Sequence, residues 1–367
     1  MPAMIASRPD MEYLPLAVLA GDLLRRAQGA RLPLAGTVEL THRCNQRCLH
    51  CYCNLPADHP RAGEEGDTDF WRTTIDALAG AGCLWLLVTG GEVLLRPDFP
   101  AIWRHAKQRG LLLSLFTNAT LVTPAIADLL AEWRPYRIEV TLYGAGEDTW
   151  HRVTGCRHGF DRCLRGIELM RQHSLPLSLK SMILRQNQGD LAAMRQLAER
   201  LGLPFRFDAQ PHRRPEGDDR TASFRLDART VAALDHGDPE RWQAWREFAG
   251  RAAPANPPAA PLPLGCDAGT TSFHIDPYGR LTACGMLTSP GHDLRGRPFA
   301  AAWESLGRGL VPVPAATDDF PCPACRLYEL CNQCPGWAQA EHGRTDRPVA
   351  FLCDLTRERA KLLRMDP

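Results

Sequence analysis

Short apolar segments alternate with helical patterns along the chain from Leu34 to Asp208. Between them lie amphipathic stretches such as Asp69 to Ala81, where Trp71, Ile75 and Leu78 fall on one helical face. Near-continuously apolar strands that alternate with helices predict a parallel sheet covered by helices, either doubly wound or an incomplete barrel. We expect an α/β fold, a partial (β/α)6 barrel of TIM type, because candidate functional residues follow the strands. The six predicted strands read GTVEL, LWLLVTG, LLLSLFTN, YRIEVTLY, LPLSLKSMIL and PFRFDA.

A second region follows once this rhythm breaks. The segments TSFHI and RLTAC flank the turn DPYG and predict a β hairpin. The surrounding 90 or so residues have little apolar periodicity, so we expect a bound metal to stabilise their fold. The predicted organisation is an N-terminal helical segment at 1–33, the barrel at 34–225, a helical bridge with a Pro/Ala linker at 226–263, a small cysteine-rich domain at 264–355 and a tail at 356–367.

Charge and hydropathy exclude several classes of function. The 43 basic and 42 acidic side chains nearly cancel, so no basic field indicates a nucleic-acid partner. No uncharged apolar run reaches the length of about 18 residues that spans a bilayer, and no secretion signal precedes the barrel. We therefore expect a cytoplasmic protein without a membrane partner. Because cytoplasmic thiols stay reduced, its 14 cysteines favour metal binding over disulfides.

Four cysteines lie close together directly after the first predicted strand. Cys44, Cys48 and Cys51 have the spacing C-x3-C-x2-C, and Cys53 falls two residues beyond it. Three thiolates on a tight loop can bind three irons of a cubane cluster and leave the fourth iron open to a small molecule. A zinc site usually has two CxxC pairs, which this spacing does not match. We expect Cys53 not to be a ligand.

This motif, after the first strand of a six-unit β-α domain, resembles that of the radical S-adenosylmethionine (SAM) enzymes. In that family the open iron chelates SAM, and one electron from the cluster cleaves it to a 5'-deoxyadenosyl radical that abstracts hydrogen. The segments TGGE and FTNAT at strand ends agree with the family, although Val93 stands where a proline is common. The resemblance implies that SAM is bound by residues of the cysteine loop and the strand ends, namely His50, Tyr52, Gly90, Gly91, Glu92, Thr117, Asn118, Thr141, Lys180 and Arg185.

Individual roles follow from the same resemblance. His50 and Tyr52 would lie beside the adenine, and Thr141 would contact the ribose. Gly90 and Gly91 would let the backbone approach the ligand, and Glu92 or nearby carbonyls would accept from the SAM ammonium. Thr117 and Asn118 stand where the family often has a Thr-Asn pair. The segment from Lys180 to Arg185 would reach the SAM carboxylate.

Seven further cysteines resemble the SPASM extension of radical SAM enzymes, which usually carries two auxiliary 4Fe-4S clusters. The opening CDAGTTSFHIDPYGRLTAC matches its hairpin, while the spacing before the fourth central cysteine is x2 instead of the typical x3. No eighth cysteine lies between Cys163 and Cys266, so the inner cluster would have three cysteine ligands and an iron that is open or capped by Asp267 or His274. The family pattern assigns Cys266, Cys284 and Cys334 to this inner cluster and Cys322, Cys325, Cys331 and Cys353 to the outer one.

The remaining cysteines stand apart in the sequence. Cys83, Cys156 and Cys163 match none of these patterns, and we expect them to be small buried thiols. The predicted cofactors are therefore SAM and three 4Fe-4S clusters, one that binds SAM and two auxiliary.

The resemblance also suggests a substrate. TLYGAGEDTWHRVTG and FRFDAQPHRRPEGDDRTASFRL resemble segments of enzymes that mature ribosomally made precursor peptides, especially those that form thioethers. Only 43 residues precede Cys44, so leader recognition is expected from a separate small protein or from the charged loop His212 to Arg220. An external reductant such as flavodoxin or ferredoxin is also implied. The alternatives are a maturase of another protein side chain (of the sulfatase-maturing type), an enzyme of cofactor or tetrapyrrole synthesis, and a non-catalytic electron-transfer protein.

Overall fold

The computed structural model describes residues 16–53, 55–215, 217–251, 266–309 and 317–365. The predicted Pro/Ala linker lies outside these ranges. The strands are β1 (Ala35–Glu39), β2 (Arg43–Cys44), β3 (Leu55–Pro56), β4 (Trp85–Thr89), β5 (Leu112–Thr117), β6 (Arg137–Thr141), β7 (Leu177–Met182), β8 (Phe205–Asp208), β9 (Ser272–Ile275), β10 (Arg280–Thr282) and β11 (Gly291–Asp293).

The helices follow the expected alternation with the strands of the barrel. They are α1 (Leu16–Ala30), α2 (Thr68–Gly80), α3 (Phe99–Gln108), α4 (Pro124–Glu132), α5 (Glu147–Thr154), α6 (Gly159–Gln172), α7 (Leu191–Leu201), α8 (Ala228–His236), α9 (Pro239–Arg251), α10 (Phe299–Gly309), α11 (Pro335–His342) and α12 (Ala350–Leu363). None of these helices has both the length and the apolar character needed to cross a membrane.

The six predicted barrel strands are confirmed. They form a parallel array in the order β1-β4-β5-β6-β7-β8, with the helices packed on its outer face. Burial alternates along β5, whose outward Leu113 and Leu115 are fully buried under helices. The parallel array is the partial (β/α)6 barrel, so the carboxyl ends of its strands open toward one rim.

Helix α2, the first helix between two barrel strands, shows how the local sequence fixes the start of a helix. The Asp67 carboxylate accepts a hydrogen bond from the Phe70 N–H and so caps α2. Its apolar face carries Trp71, Ile75 and Leu78, all at most 1% exposed, into the main core. The helix predicted at 69–81 is therefore confirmed within one residue at each end.

The predicted hairpin joins the barrel sheet directly. Strand β9 pairs in parallel with β1, with Ala35 opposite Ser272 and Val38 opposite Ile275, and β10 and β11 extend the sheet beyond it. A Cβ on Gly36 would lie 2.1 Å from the Phe273 ring, so glycine is required for this close packing. The cysteine-rich domain thus begins on the open edge of the barrel, beside the strand that leads into the first cysteine motif.

A buried ion pair joins the last helix to the segment that follows the barrel. Asp235 of α8 and Arg359 of α12 are at most 1% exposed and are 2.6 Å apart. The boundary predicted at residue 355 lies inside α12, so 356–367 includes the second half of a packed helix. The described part of the helical bridge predicted at 226–263 consists of α8 and α9, with Pro239 as the first residue of α9.

Candidate functional site

The loop that follows β1 places the first three cysteines at the rim of the barrel. The Arg47 and Leu49 N–H groups donate to the carbonyls of Thr154 and Val153 at the end of α5, at 2.7 and 3.0 Å. The Cys51 N–H donates to the Cys48 carbonyl at 3.1 Å, which closes a tight turn. The loop is therefore fixed from outside by α5, with its thiols turned toward the strand ends.

The thiols of Cys44, Cys48 and Cys51 lie close enough to influence one another electrostatically. Burial, followed by the Glu92 carboxylate, raises the pKa of Cys44 to about 12. Burial and the two other thiols also raise the pKa of Cys48. A bound iron would offset this penalty, because a thiol that coordinates a metal releases its proton and binds as the thiolate.

The surroundings of these thiols fit a bound group. The Gln46 N–H donates to the Cys44 sulfur at 3.4 Å, while the side-chain Gln46 Nε2 and His50 Nδ1 are buried without a partner. Buried polar atoms without a partner are costly and indicate an additional ligand. Among the described residues no three metal-binding side chains are arranged for a single ion, whereas the thiols of a cubane bind separate irons.

The Gly90-Gly91 pair packs against the cysteine loop. A Cβ on Gly90 would lie 2.2 Å from the Thr41 carbonyl oxygen, and one on Gly91 would lie 2.2 Å from the Arg43 carbonyl oxygen. Gly90 also has a φ of 141°, a conformation that favours glycine. The Gly91 and Glu92 N–H groups donate to these same carbonyls at 2.7 and 2.9 Å. We expected the glycines to admit a ligand, but in this structure they admit the backbone that leads to Cys44.

Glu92, Thr117 and Asn118 form one hydrogen-bonded group at the ends of β4 and β5. The Glu92 carboxylate accepts from the Thr117 hydroxyl at 2.9 Å and from the Asn118 N–H at 2.8 Å. The Asn118 side chain reaches Asn45 at 2.9 Å and lies 3.8 Å from the Cys44 sulfur. These residues therefore tie two strand ends to the cysteine loop. Direct contact of Glu92 with SAM stays a prediction.

His50 and Thr141 meet through a residue that the sequence did not reveal. His50 Nε2 lies 3.1 Å from the Tyr143 hydroxyl, which is also hydrogen-bonded to Thr141. Burial lowers the pKa of His50 to about 4, so the imidazole is neutral. Tyr143 also hydrogen-bonds the Cys48 thiol. The only feature of the sequence that could have indicated Tyr143 is its place in TLYG, as an aromatic residue just after a barrel strand.

Tyr52 leads to a second group that sequence analysis missed. Its hydroxyl donates to the buried carboxylate of Glu39 at the end of β1. Glu39 Oε2 lies 2.7 Å from His42 Nε2, and Glu39 Oε1 lies 3.5 Å from His274 Nε2 of β9. Burial alone would raise the pKa of Glu39, but His274 and His42 hold it well below its usual range. His274, predicted as a possible cap for the inner cluster, is thus directed toward Glu39 here.

Lys180 and Arg185 occupy different surroundings. The Lys180 ammonium lies 3.6 Å from Glu139 and over the Phe116 ring, and burial lowers its pKa to about 7. Arg185 is exposed and lines a separate groove with Arg225 and other residues of the segment after the barrel. Of the two, only Lys180 faces the barrel interior in this structure, and their contacts with the SAM carboxylate stay predictions.

The inner auxiliary cysteines meet although they are far apart in sequence. The thiols of Cys266, Cys284 and Cys334 influence one another electrostatically. The Leu287 N–H donates to the Cys284 sulfur at 3.2 Å, and the Trp337 N–H to the Cys334 sulfur at 3.5 Å. Such donors favour thiolate over thiol, as an iron ligand requires.

The outer auxiliary cysteines line one small cavity. Cys322, Cys325, Cys331 and Cys353 border it together with Leu327, Tyr328, Gln333, Thr356 and Arg357. The Gln333 Nε2 donates to the Cys353 sulfur at 3.2 Å, and the Thr356 hydroxyl to the Cys331 sulfur at 3.3 Å. The two groupings implied by the SPASM pattern are therefore both present as neighbouring thiols, and whether each binds a cluster stays a prediction.

The other cysteines differ from one another. Cys83 and Cys163 are buried, as expected, whereas Cys156 is partly exposed and accepts from Arg162 Nη2 at 3.0 Å. The expectation that Cys156 is buried is therefore wrong, because the tight turn after α5 brings it to the surface. Cys53 is buried and its sulfur lies 3.8 Å from that of Cys51.

A cavity separates the first cysteine loop from the hairpin of the cysteine-rich domain. Tyr52 and Cys53 line one side, Thr282 and Gly285 line the other, and Glu39 lies between them. Because Gly285 directly follows Cys284, this space lies between the predicted SAM cluster and the predicted inner auxiliary cluster.

Comparison with known families decides which protein class this arrangement belongs to. Residues 38–198 match the Radical SAM superfamily. The chain carries a radical SAM domain. The match begins in β1, spans the three cysteines and the TGGE and FTNAT strand ends, and finishes in α7. The predicted radical SAM domain is confirmed over these residues, and the prediction that the protein is an enzyme is confirmed by this match together with the enzyme-named relatives below.

The names of the curated relatives of this radical SAM enzyme indicate two kinds of substrate. This chain is 28% identical over 323 residues to an AdoMet-dependent heme synthase of Methanosarcina barkeri. The alignment covers 83% of this chain and 92% of the relative. This chain is also 35% identical over 170 residues to a PqqA peptide cyclase of Ruegeria pomeroyi, with 46% of this chain and 45% of the cyclase covered. The chain therefore matches less than half the length of that cyclase.

Solved structures of SPASM-type radical SAM enzymes share the fold. Streptococcus suis SuiB bound to its precursor peptide SuiA matches with a TM-score of 0.67 and 14% identity over 95% of this chain and 84% of that chain. Native anSMEcpe with bound AdoMet matches with a TM-score of 0.65 and 13% identity over 90% and 96%. At these identities the likeness establishes the fold, in which a cysteine-rich domain follows the radical SAM barrel.

Proposed function

We propose that this radical SAM enzyme binds three 4Fe-4S clusters and modifies a ribosomally made precursor peptide, with formation of a thioether or another crosslink. Cys44, Cys48 and Cys51 would hold the cluster that binds SAM. When bound and reduced, that cluster and SAM supply the 5'-deoxyadenosyl radical that abstracts hydrogen. The auxiliary clusters would be held by the inner group Cys266, Cys284 and Cys334 and by the outer group Cys322, Cys325, Cys331 and Cys353.

The observation that carries this proposal is the cavity between Tyr52 and Gly285. Its position lets a substrate lie next to the first cysteine loop while another part of it reaches the Cys284 loop. A crosslink removes two hydrogen atoms from the peptide: the 5'-deoxyadenosyl radical would take one with its electron, and the other would leave as a proton while a second redox group beside the substrate accepts the surplus electron. A substrate cysteine thiolate could also occupy an open iron of the inner cluster.

The charged loop from His212 to Arg220 supports a peptide substrate. Arg214 Nε donates to the Cys51 carbonyl at 3.1 Å, and the His212 ring packs against Trp337 of α11. Arg214 and Pro215 also line the cavity. The first part of the loop, from His212 to Pro215, thus packs against both cysteine regions, which makes the loop a candidate for leader recognition beside a separate binding protein.

Tetrapyrrole synthesis is the second candidate function. It is favoured by the heme synthase of Methanosarcina barkeri, which is similar over 92% of its length, whereas the PqqA peptide cyclase of Ruegeria pomeroyi is similar over 45% of its length. The cavity bears Arg61, Arg214 and Arg280 at its edge, and guanidinium groups suit the carboxylates of such a substrate.

One incubation separates the two candidates. The anaerobically reconstituted enzyme receives SAM and a reductant, together with either a cysteine-containing candidate precursor peptide or iron coproporphyrin III. We expect the peptide to lose two mass units per crosslink while 5'-deoxyadenosine forms, and the tetrapyrrole to stay unchanged. A mass change in the tetrapyrrole alone would reject the peptide proposal. Deoxyadenosine with a peptide of unchanged mass would indicate epimerisation instead of a crosslink.

A further inference from the structure

A second cavity lies inside the barrel, next to the cavity between Tyr52 and Gly285, which we now call the upper cavity. The second cavity has a volume of about 310 Å³, at the lower end of the usual range of ligand sites. Thr37, Leu87 and Ser114 line it and are neighbours in register on β1, β4 and β5. Their side chains face the barrel interior, because the alternate residues of these strands are buried under the helices. We call this space the barrel chamber.

The two cavities follow one another along the barrel axis. The barrel chamber begins at Ala35, the first residue of β1, whereas Glu39, the last residue of the same strand, lines the upper cavity. Because a strand rises about 3.3 Å per residue, these two levels are about 13 Å apart. Among the described residues, His274 and Gly285 are the two that line both cavities. The cavities therefore meet at this pair.

Gly285 leaves room at this junction because it has no side chain. A Cβ there would lie 3.5 Å from the His274 ring, so a longer side chain would crowd the ring. The ring itself is held from both ends, since Nδ1 lies 3.2 Å from the Thr282 hydroxyl and Nε2 lies 3.5 Å from the Glu39 carboxylate. His274 and Gly285 thus form two sides of a passage from the upper cavity into the barrel chamber.

The barrel chamber differs from the upper cavity in charge. Charged side chains line the upper cavity, among them Arg214 and Asp276. Among the described residues that line the barrel chamber, none is an aspartate, glutamate, lysine or arginine. Beside its apolar side chains it offers the hydroxyls of Thr37, Ser114 and Ser272. An ionised group without a partner of opposite charge is costly in such surroundings, so the barrel chamber suits a neutral group.

We infer that the barrel chamber binds an uncharged side chain of the precursor peptide, next to the residue that is crosslinked, and so determines which peptides the enzyme accepts. The inference rests on the proposed peptide substrate. A peptide in the upper cavity needs space for the residues beside the reacting one, and the passage at Gly285 leads to such a space. Cys284 borders the barrel chamber, whereas Cys266 and Cys334 do not, so the predicted inner cluster would lie at its edge.

The test fills the barrel chamber with larger side chains. Ser114→Phe and Leu87→Phe add volume from two different strands, and Ser114→Ala is the matched control that removes the hydroxyl without adding volume. Each reconstituted full-length enzyme receives SAM, a reductant and a cysteine-containing candidate precursor peptide. A second set of peptides carries glycine in turn at each position that flanks the crosslink. Mass spectrometry gives kcat/KM for crosslinking, and iron content and melting temperature check the fold of each variant.

We expect both phenylalanine variants to lower kcat/KM for the parent peptide at least about tenfold, and Ser114→Ala to change it less than about twofold. Glycine at one flanking position should restore most of this loss, because it frees the volume that phenylalanine occupies. Aspartate at the same position should lower kcat/KM of the unaltered enzyme at least about tenfold.

Three results would overturn the inference: unchanged kcat/KM in the phenylalanine variants, an equal loss in Ser114→Ala, or a loss that glycine restores at no flanking position. If one phenylalanine variant does not fold, the other decides. A different result identifies failure of the proposed function itself, namely that the unaltered enzyme with its full iron content crosslinks no peptide, and the inference would then fail with it.

Discussion

A Cys48→Ala variant is expected to lose SAM cleavage by at least about 10³-fold, because one iron of the open cubane would lose its ligand. Its iron content after reconstitution should fall from about twelve to about eight per chain, since only the auxiliary clusters would remain. The measurements are 5'-deoxyadenosine by liquid chromatography and iron and sulfide by colorimetric assay.

Cys53→Ala is the matched control for this variant. Cys53 is also buried, and its sulfur lies 3.8 Å from that of Cys51. Its removal therefore shows the effect of losing a nearby thiol that is not expected to bind iron. We expect Cys53→Ala to keep about twelve irons and most of the SAM cleavage. If Cys53→Ala lost a cluster while Cys48→Ala kept it, the ligand assignment of the loop would be wrong. About four irons in the unaltered enzyme would reject the auxiliary clusters.

A Gly91→Ala variant is expected to displace the cysteine loop. The new methyl group would lie 2.2 Å from the Arg43 carbonyl oxygen, a backbone atom that can move only together with Cys44. Overpacking of this kind typically costs about 1–3 kcal/mol. We expect a lower melting temperature and a loss of at least about tenfold in SAM cleavage, because the loop and the Asn118 side chain would no longer meet.

Gly80→Ala is the control for the added methyl group. It lies at the end of α2, and a Cβ there would meet nothing within 4 Å. Its melting temperature should be unchanged or slightly raised, because alanine restricts the unfolded chain. Equal behaviour of the two variants, with full iron content and SAM cleavage in both, would contradict the proposed role of Gly91. Far-UV circular dichroism checks that Gly91→Ala still folds.

Periodicity and motif spacing predicted the parts of this protein that depend on local sequence. The six barrel strands, the helix around Trp71 and the hairpin around Gly279 each depend on patterns within a few residues. The inner and outer cysteine groups could be proposed only because the SPASM pattern orders them, since Cys266 and Cys334 are distant in the chain.

Contacts between distant segments could not be predicted in this way. Glu39 and His274 meet because β9 pairs with β1, and nothing in either segment indicates that pairing. Tyr143 meets His50 because the rim of the barrel brings the cysteine loop beside the end of β6. Gly90 and Gly91 were recognised as important, but the reason lies in the approach of another loop. Such features follow from tertiary packing, which a single sequence does not display.

The most direct test of the central claim follows hydrogen from substrate to cofactor. The precursor peptide is deuterated at its carbon-bound positions and incubated anaerobically with the enzyme, SAM and a reductant. Abstraction by a 5'-deoxyadenosyl radical predicts deuterium in 5'-deoxyadenosine, in proportion to the peptide that is crosslinked. Unlabelled 5'-deoxyadenosine together with crosslinked peptide, or no 5'-deoxyadenosine at all from enzyme with its full iron content, would contradict the account.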